Sequence, residues 1–165
     1  LRRILESGEK EGYSARNFCE AVKIFPDGVV YSCDSAPTPP IVAPNHKVIA
    51  KWAQYLKPED CDDLPLDLIF FDCHDISEPS VLETLRPLIT DDTILVMHDT
   101  NLRYRDATGQ PLAYAYSPQI VEPVMVNTLH AMGYDAFSVR TRAEDHDEAF
   151  PMRMGLALMQ KFKGA

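Results

Sequence analysis

Four short polar segments follow apolar runs in this chain, and each contains residue types that can bind a ligand or move a proton. The first is Glu6–Ser14, in which Gly8 and Gly12 stand four residues apart and Ser14 opens a stretch with helical periodicity. Glycine allows a sharp turn and close approach of a ligand to the backbone, so this segment predicts a cofactor-binding turn. It matches neither the GxGxxG fingerprint nor a phosphate-binding loop. An ordinary turn is the alternative.

The second segment is the end of the apolar run Val29–Cys33, which is followed directly by Asp34. An acidic residue at the end of the second strand of an α/β sheet can accept hydrogen bonds from both ribose hydroxyls of an adenosine. Asp34 is therefore predicted to bind a ribose. A solvated aspartate that begins a turn is the alternative.

The third and fourth segments are Asp72–Asp75 (Asp-Cys-His-Asp) and His98–Asn101 (His-Asp-Thr-Asn), and each follows an apolar run. Ligands of open α/β sheets collect at the carboxyl ends of the strands, so Asp72, His74 and Asp75 can act as a base, bind a metal or contact the amine of a cofactor. A cluster that caps the following helix is the alternative.

If these two strands are neighbours, Asp72 and Asp99 approach each other at the top of the sheet. Two close carboxylates repel each other unless a proton or a cation lies between them. A divalent metal with oxygen ligands is therefore one hypothesis, with His98 as a further ligand. A hydrogen-bonded anchor for the following loop is the other.

The elements that must position these residues alternate between strands and helices, which predicts an α/β fold with a Rossmann-like, doubly wound, mostly parallel sheet. Ser14 is predicted to cap its helix, Asp91-Asp92 to end another, and the last two strands to form an antiparallel edge hairpin. The predicted strands are Arg3–Glu6, Val29–Cys33, Lys47–Lys51, Leu66–Phe71, Thr93–Met97, Ala136–Arg140 and Met154–Met159; the predicted helices are Ser14–Lys23, Trp52–Leu56, Pro79–Leu88 and Ile120–Met132, and a long loop covers Asn101–Ser117.

Composition narrows the class of protein further. The net charge of -9 argues against general binding to nucleic acid, which needs clustered Lys and Arg. The longest apolar runs are too short to span a bilayer. Four cysteines without metal-like spacing predict reduced thiols and a cytoplasmic location. The length predicts a single domain, residues 1–165. Because the sequence begins almost inside a predicted strand, we expect it to be a fragment that lacks N-terminal covering helices.

Taken together, these segments resemble the class I S-adenosylmethionine-dependent methyltransferases. The pattern ExGxxxGxS at Glu6–Ser14 is similar to their cofactor loop, and Val29–Asp34 to their second strand with its ribose-binding acid. Asp67–Asp72 and Thr93–Thr100 resemble their fourth and fifth strands. The resemblance covers nearly the whole chain. The segments after strands four and five are most similar to the small-molecule O-methyltransferase and cephalosporin-hydroxylase-like branch.

The resemblance implies methyl transfer from S-adenosylmethionine to an oxygen of a small-molecule acceptor, assisted by Mg²⁺ in several members of this branch. It implies no membrane partner, and homo-oligomers are compatible with it. The implied cofactor-binding residues are Glu6, Gly8, Gly12, Ser14, Asp34 and Asp72; the implied catalytic residues are His74, His98 and Asp99; and the implied metal ligands are Asp72, His98 and Asp99.

Three departures from the family pattern bear on these roles. His98 stands where relatives carry an acid, which puts the metal in question. Relatives read Asp-Gly-Asp-His where this chain has Asp72–Asp75, and the link from Asp34 to Lys47 is short and rich in proline. Two alternatives therefore stay open: a metal-dependent hydrolase on a similar sheet, and a non-catalytic nucleotide-binding or scaffold domain.

Overall fold

The computed structural model describes residues 1–8, 11–35, 41–72, 78–98, 129, 131–139 and 156–161. Helices separate several of the strands within these ranges, as the sequence pattern predicts, but no described helix separates the second strand from the third. In chain order they are β1 (Arg3–Ser7), α1 (Tyr13–Val22), β2 (Val29–Asp34), β3 (His46–Ala50), β4 (Leu66–Phe71), α2 (Glu78–Thr84), β5 (Ile89–His98), β6 (Tyr134–Val139) and β7 (Leu156–Lys161), with short 3-10 helices at Ala53–Tyr55, Pro58–Cys61 and Arg86–Leu88.

The strands form one sheet in the order β3-β2-β1-β4-β5-β7-β6. The first five strands in this order are parallel to their neighbours, and β7 lies antiparallel between β5 and β6. This arrangement confirms the predicted Rossmann-like α/β class with an antiparallel late pair. Strand β6, rather than β7, occupies the outer edge.

The two faces of the sheet are covered by different elements. Strand residues alternate between faces, and the face that carries Ile4, Val30 and Leu68 packs against Cys19 and Val22 of α1. The larger cluster on the opposite face joins strand residues to α2 and the 3-10 helices, and includes Leu5, Tyr31, Ile69, Phe71, Ala53, Cys61, Val81, Leu82 and Leu85. Burial on both faces explains why β4 reads as a continuous apolar run.

Strand β5 begins four residues before the predicted strand, so the predicted break at Asp91-Asp92 is wrong. Its pairing with β4 shifts between Leu66 and Leu68, which lets β5 bulge away from its neighbour where the two aspartates lie. The buried Thr93 hydroxyl closes this bulge by donating to Leu66 O at 2.7 Å and accepting from Thr90 N at 2.8 Å. A bulge thus accommodates two exposed acids within a strand.

Other boundaries also differ from the prediction. Strand β3 begins at His46 rather than Lys47, and α2 ends at Thr84, before the 3-10 turn that carries Pro87. Gly133 has a φ of 83°, as expected for a residue that ends a helix. The predicted loop 101–117 lies outside the described residues, as does most of the predicted helix 120–132. In the described part of the chain, no helix has both the length and the apolar composition to cross a bilayer.

Gly28 joins α1 to β2 where no side chain fits. A Cβ at this position would lie 2.1 Å from Val22 O, a backbone atom that cannot move aside. We therefore expect Gly28→Ala to lower the free energy of unfolding by at least about 2 kcal/mol. Gly133→Ala is the matched control, because a Cβ there meets nothing within 4 Å and costs only the unfavourable positive φ, about 1 kcal/mol. If urea unfolding showed that both variants lose the same free energy of unfolding, this account would be contradicted.

Candidate functional site

The polar residues at the carboxyl ends of the parallel strands lie at one level of the sheet. In the pairing register Ser7 lies between Cys33 and Phe71, and the next residues along the three strands are Gly8, Asp34 and Asp72. Gly8 N donates to Cys33 O at 2.9 Å and Asp72 N donates to Ser7 O at 2.8 Å, so the ladder continues past the ends of the strands. Gly8 is therefore placed between the two aspartates.

Gly8 contributes backbone but no side chain to this edge. Its φ of 99° is a conformation that other residues rarely adopt. A ligand that enters between Asp34 and Asp72 thus meets main chain at the centre and a carboxylate on either side. We refer to Gly8 with Asp34 and Asp72 on either side as the cradle; that it binds a cofactor stays a prediction.

His98 extends this row of polar residues to the next strand. Its Nδ1 lies 2.9 Å from Asp72 Oδ1, in a pair that is partly accessible, with the His98 side chain 39% exposed and that of Asp72 28% exposed. The Phe70 ring packs between His98 and Phe18 of α1, with centroid separations of 6.2 Å and 5.5 Å. An acid that orients an accessible imidazole is an arrangement suited to general base chemistry.

Glu6 lies just below this edge and is completely buried. Its Oε1 accepts a hydrogen bond from the Ser14 hydroxyl of α1, and its Oε2 accepts one from Ser32 Oγ of β2 at 3.1 Å. Burial raises the pKa of this carboxyl group above its usual value of 4.5; the two hydroxyls oppose this rise, and the charges of Asp72 and Asp34 add to it. The carboxylate therefore joins β1, β2 and the start of α1.

Behind Ser32 lies a second buried polar side chain, His46 of β3. Its Nε2 lies 2.8 Å from Ser32 Oγ, and its Nδ1 accepts a hydrogen bond from Val42 N at 3.2 Å. An imidazole nitrogen that accepts from a backbone N–H carries no proton, so His46 is the neutral tautomer with its proton on Nε2. Burial lowers the pKa of His46 below its usual value of 6.5 and favours the same neutral form.

The start of α1 differs from the prediction. The N-cap residue is Gly12, in the left-handed region with φ 73°, and Ser14 lies inside the helix with its hydroxyl on Glu6. The prediction that Ser14 caps the helix is therefore wrong, because the buried carboxylate takes its hydroxyl. Gly12 has no side chain with which to accept from the first N–H groups of α1, so these groups can bind an anionic group of a ligand.

The structure brings together most, but not all, of the residues singled out in the sequence. Glu6 and Ser14 are in contact, Gly8 lies between Asp34 and Asp72, Gly12 begins α1, and Asp72 contacts His98. His74 and Asp99 lie outside the described residues. Within the described ranges, no group of three or more His, Cys, Asp or Glu side chains is arranged to hold a metal ion.

Two residues of the site were not identified from the sequence, Ser32 and His46. Ser32 interrupts the otherwise apolar run of β2, and a buried hydroxyl needs a hydrogen-bonding partner. That interruption was the available signal for Ser32. His46 carried no comparable signal, because it precedes the strand predicted for its region and is buried only by the packing of that strand.

The comparisons with known proteins bear on the fold. No protein-family model matches the sequence, and no curated protein is significantly similar to it. Solved structures do match. The structure of a Podospora anserina methyltransferase bound to SAH has a TM-score of 0.65 and 16% identity, over 98% of this chain and 72% of that one.

Two further similar structures are of enzymes named for acceptors of different classes. A putative caffeoyl-CoA O-methyltransferase from Staphylococcus aureus has a TM-score of 0.65 and 18% identity, over 98% of this chain and 76% of that one. A putative rRNA methylase from Clostridium thermocellum has a TM-score of 0.67 and 11% identity, over 99% of this chain and 88% of that one. The chain therefore has the fold of the class I S-adenosylmethionine-dependent methyltransferases.

The raised pKa of Glu6 makes a prediction about stability. The folded protein holds this proton at pH values where the unfolded chain has released it, so the contribution of Glu6 to stability is full below about pH 4.5 and is lost as the pH rises through the folded pKa. Glu6→Gln removes this titration. In urea unfolding at a series of pH values from 4.5 upward, we expect the stability of the wild type relative to Glu6→Gln to fall. A constant difference between the two proteins would contradict the assignment.

Proposed function

We propose that this chain is an S-adenosylmethionine-dependent methyltransferase that acts on an oxygen of a small-molecule acceptor. The observation that carries the proposal is the cradle at the carboxyl edge, in which Gly8 lies between Asp34 and Asp72 at the turn from β1 to α1. In open α/β sheets, ligands bind outside the carboxyl ends of the strands. Among the solved structures with this fold, the Podospora protein was crystallised with SAH.

The charges of the site suit this cofactor. S-adenosylmethionine carries a sulfonium and an ammonium group, and Asp34 and Asp72 place acidic side chains on the two sides of Gly8. Asp34 would accept hydrogen bonds from the ribose hydroxyls, and Asp72 would face the amino-acid end. The first N–H groups of α1, next to Gly12, would bind the carboxylate.

Methyl transfer from a sulfonium to an oxygen needs in-line alignment of donor and acceptor and an acceptor that can lose its proton. His98 is the described residue best placed for the second task, since it is accessible and is oriented by Asp72 at 2.9 Å. His74 and Asp99 stay candidate catalytic residues from the sequence. Loss of the acceptor proton to His98 would leave a nucleophilic oxygen facing the methyl group.

For Mg²⁺, the proposal is limited to the residues that would bind the ion. Asp72 and Asp99 would supply oxygen ligands of the kind that magnesium prefers, with His98 beside them. When bound there, the ion would favour the ionised form of an acceptor hydroxyl. His98 contacts Asp72, so the alternative is that the imidazole, rather than a metal ion, is the partner of this carboxylate.

An RNA acceptor is less well supported than a small molecule, although one similar structure is a putative rRNA methylase. RNA-binding surfaces need clustered basic residues to neutralise phosphates. This chain has a net charge of -9, with 25 acidic residues against 16 basic ones. The cytoplasmic location stays a prediction from the cysteine pattern, and homo-oligomerisation stays untested.

We expect the protein to bind S-adenosylhomocysteine in isothermal titration, and Asp34→Ala to weaken binding roughly 10- to 100-fold because hydrogen bonds to a charged group are lost. Asp27→Ala is the matched control, since Asp27 forms its ion pair with Arg3 at 3.2 Å at the opposite end of β2. Absence of binding by the folded wild type would contradict the proposal and favour the hydrolase or scaffold alternatives. Repeating the titration with Mg²⁺, and with Asp99→Ala, tests the metal.

Trp52, the single tryptophan of the chain, offers an optical test. It follows Ala50, which pairs with Asp34, by two residues, and the residue is 54% exposed. We expect bound S-adenosylhomocysteine to quench its fluorescence, because an adenine next to Asp34 would cover the indole. The quenching should saturate at the affinity found by titration. Unchanged fluorescence at saturating ligand would place the adenine elsewhere.

A further inference from the structure

A chain of buried hydrogen bonds runs from β3 to the glycine turn. His46 contacts Ser32 at 2.8 Å, Ser32 donates to Glu6 at 3.1 Å, and Glu6 accepts the Ser14 hydroxyl at the start of α1. Glu6, Ser32 and His46 are at most 5% exposed. We propose that His46 is a positioning residue for cofactor binding, which acts through Ser32 and Glu6 to fix the spacing between the end of β1 and the start of α1. This inference rests on the proposed function.

The backbone donor at Val42 sets the direction of the first bonds in this series of hydrogen bonds. Val42 N–H donates to His46 Nδ1, so the ring proton is on Nε2 and points to Ser32 Oγ. Because the Ser32 oxygen accepts this proton, its own hydrogen is free to donate to Glu6. The other tautomer would set two N–H donors against each other at Val42, and a ring flip would replace both contacting nitrogens by carbons.

The series of hydrogen bonds ends at the start of α1, and this is the element that a cofactor would contact. Each oxygen of Glu6 accepts one hydroxyl, Ser14 from α1 and Ser32 from β2, so the carboxylate has one orientation. Glu6 lies two residues before Gly8, and Ser14 lies two residues after Gly12. The bond between Glu6 and Ser14 therefore closes the base of the glycine turn, and a carboxylate that rotates would release it.

His46 also lies apart from the cradle that it would position. It begins β3, the outermost strand on this side of the sheet, at the end of that strand opposite to Asp34. Asn45 Nδ2 donates to Cys19 O at 3.2 Å and holds the start of β3 against α1. Any effect of His46 on ligand affinity must consequently pass through the protein rather than through contact with the ligand.

The test is isothermal titration of S-adenosylhomocysteine into the full chain and its variants. His46→Phe keeps a ring but lacks the N–H donor, and we expect affinity to fall about fivefold to tenfold, the effect of one lost buried hydrogen bond. His46→Gln keeps a side-chain N–H and should restore affinity to within about twofold of the wild type. Ser32→Ala should equal His46→Phe, and the double variant should be no weaker than either single variant, because all act on one chain.

Tyr31→Phe is the matched control. Tyr31 is buried next to Ser32 on the opposite face of β2, and its hydroxyl donates to Asp62 at 2.8 Å. Loss of the Tyr31 hydroxyl removes one hydrogen bond between β2 and a loop, but leaves the hydrogen bonds that link His46, Ser32 and Glu6 intact. We expect a similar loss of thermal stability from Tyr31→Phe and no change in affinity. Equal losses of affinity for Tyr31→Phe and His46→Phe, or wild-type affinity of His46→Phe, would overturn the inference.

A measurement without ligand separates this inference from the proposed function. In NMR spectra of the imidazole nitrogens at pH 7.5, His46 should give the pattern of the neutral Nε2–H tautomer, with its signals assigned by their loss in His46→Gln. An Nδ1–H or charged ring would overturn the hydrogen-bond chain. If this pattern is found but the wild type does not bind S-adenosylhomocysteine, the proposed function fails on its own.

Discussion

The parallel pairing of β1 with both β2 and β4 is the constraint on which the site depends. Because β1 lies between these strands, the first residue after it, Gly8, is placed between Asp34 and Asp72. The backbone hydrogen bonds from Gly8 N and Asp72 N continue the ladder past the ends of the strands and hold these residues next to one another. Two carboxylates that are distant in the sequence thus become flanking groups of one turn. Nothing in either loop alone would produce this arrangement.

Much of this arrangement could be predicted from local patterns, and the reasons are specific. The run Leu66–Phe71 has the same bounds in the sequence interpretation and in the structure, because a strand covered on both faces is apolar throughout. Asp34 lies at the end of β2 and Gly8 directly follows β1, where the sequence interpretation placed them. The predictions failed where tertiary contacts override local preference: Ser14 gives its hydroxyl to Glu6 instead of a cap, and the Thr93 hydroxyl lets β5 extend through two aspartates.

The buried polar residues explain why the rest of the site could not be predicted. Unpaired polar groups are costly inside a protein, so Glu6, Ser32 and His46 are tolerated only as a set in which each satisfies the next. The partners come from three strands, and no spacing in one segment specifies them. A sequence pattern can identify a polar residue in an apolar run. Only the assembled sheet shows which partner it meets.

The position of β7 between β5 and β6 has a consequence for the order in which the protein can be made. Strand β6 precedes β7 in the chain, yet its only described strand neighbour is β7. During synthesis the ribosome therefore releases β6 before the strand that it pairs with exists. The five parallel strands, β1 to β5, can assemble first. Strand β6 stays unpaired until β7 has been made, and during that time its edge can pair with other strands.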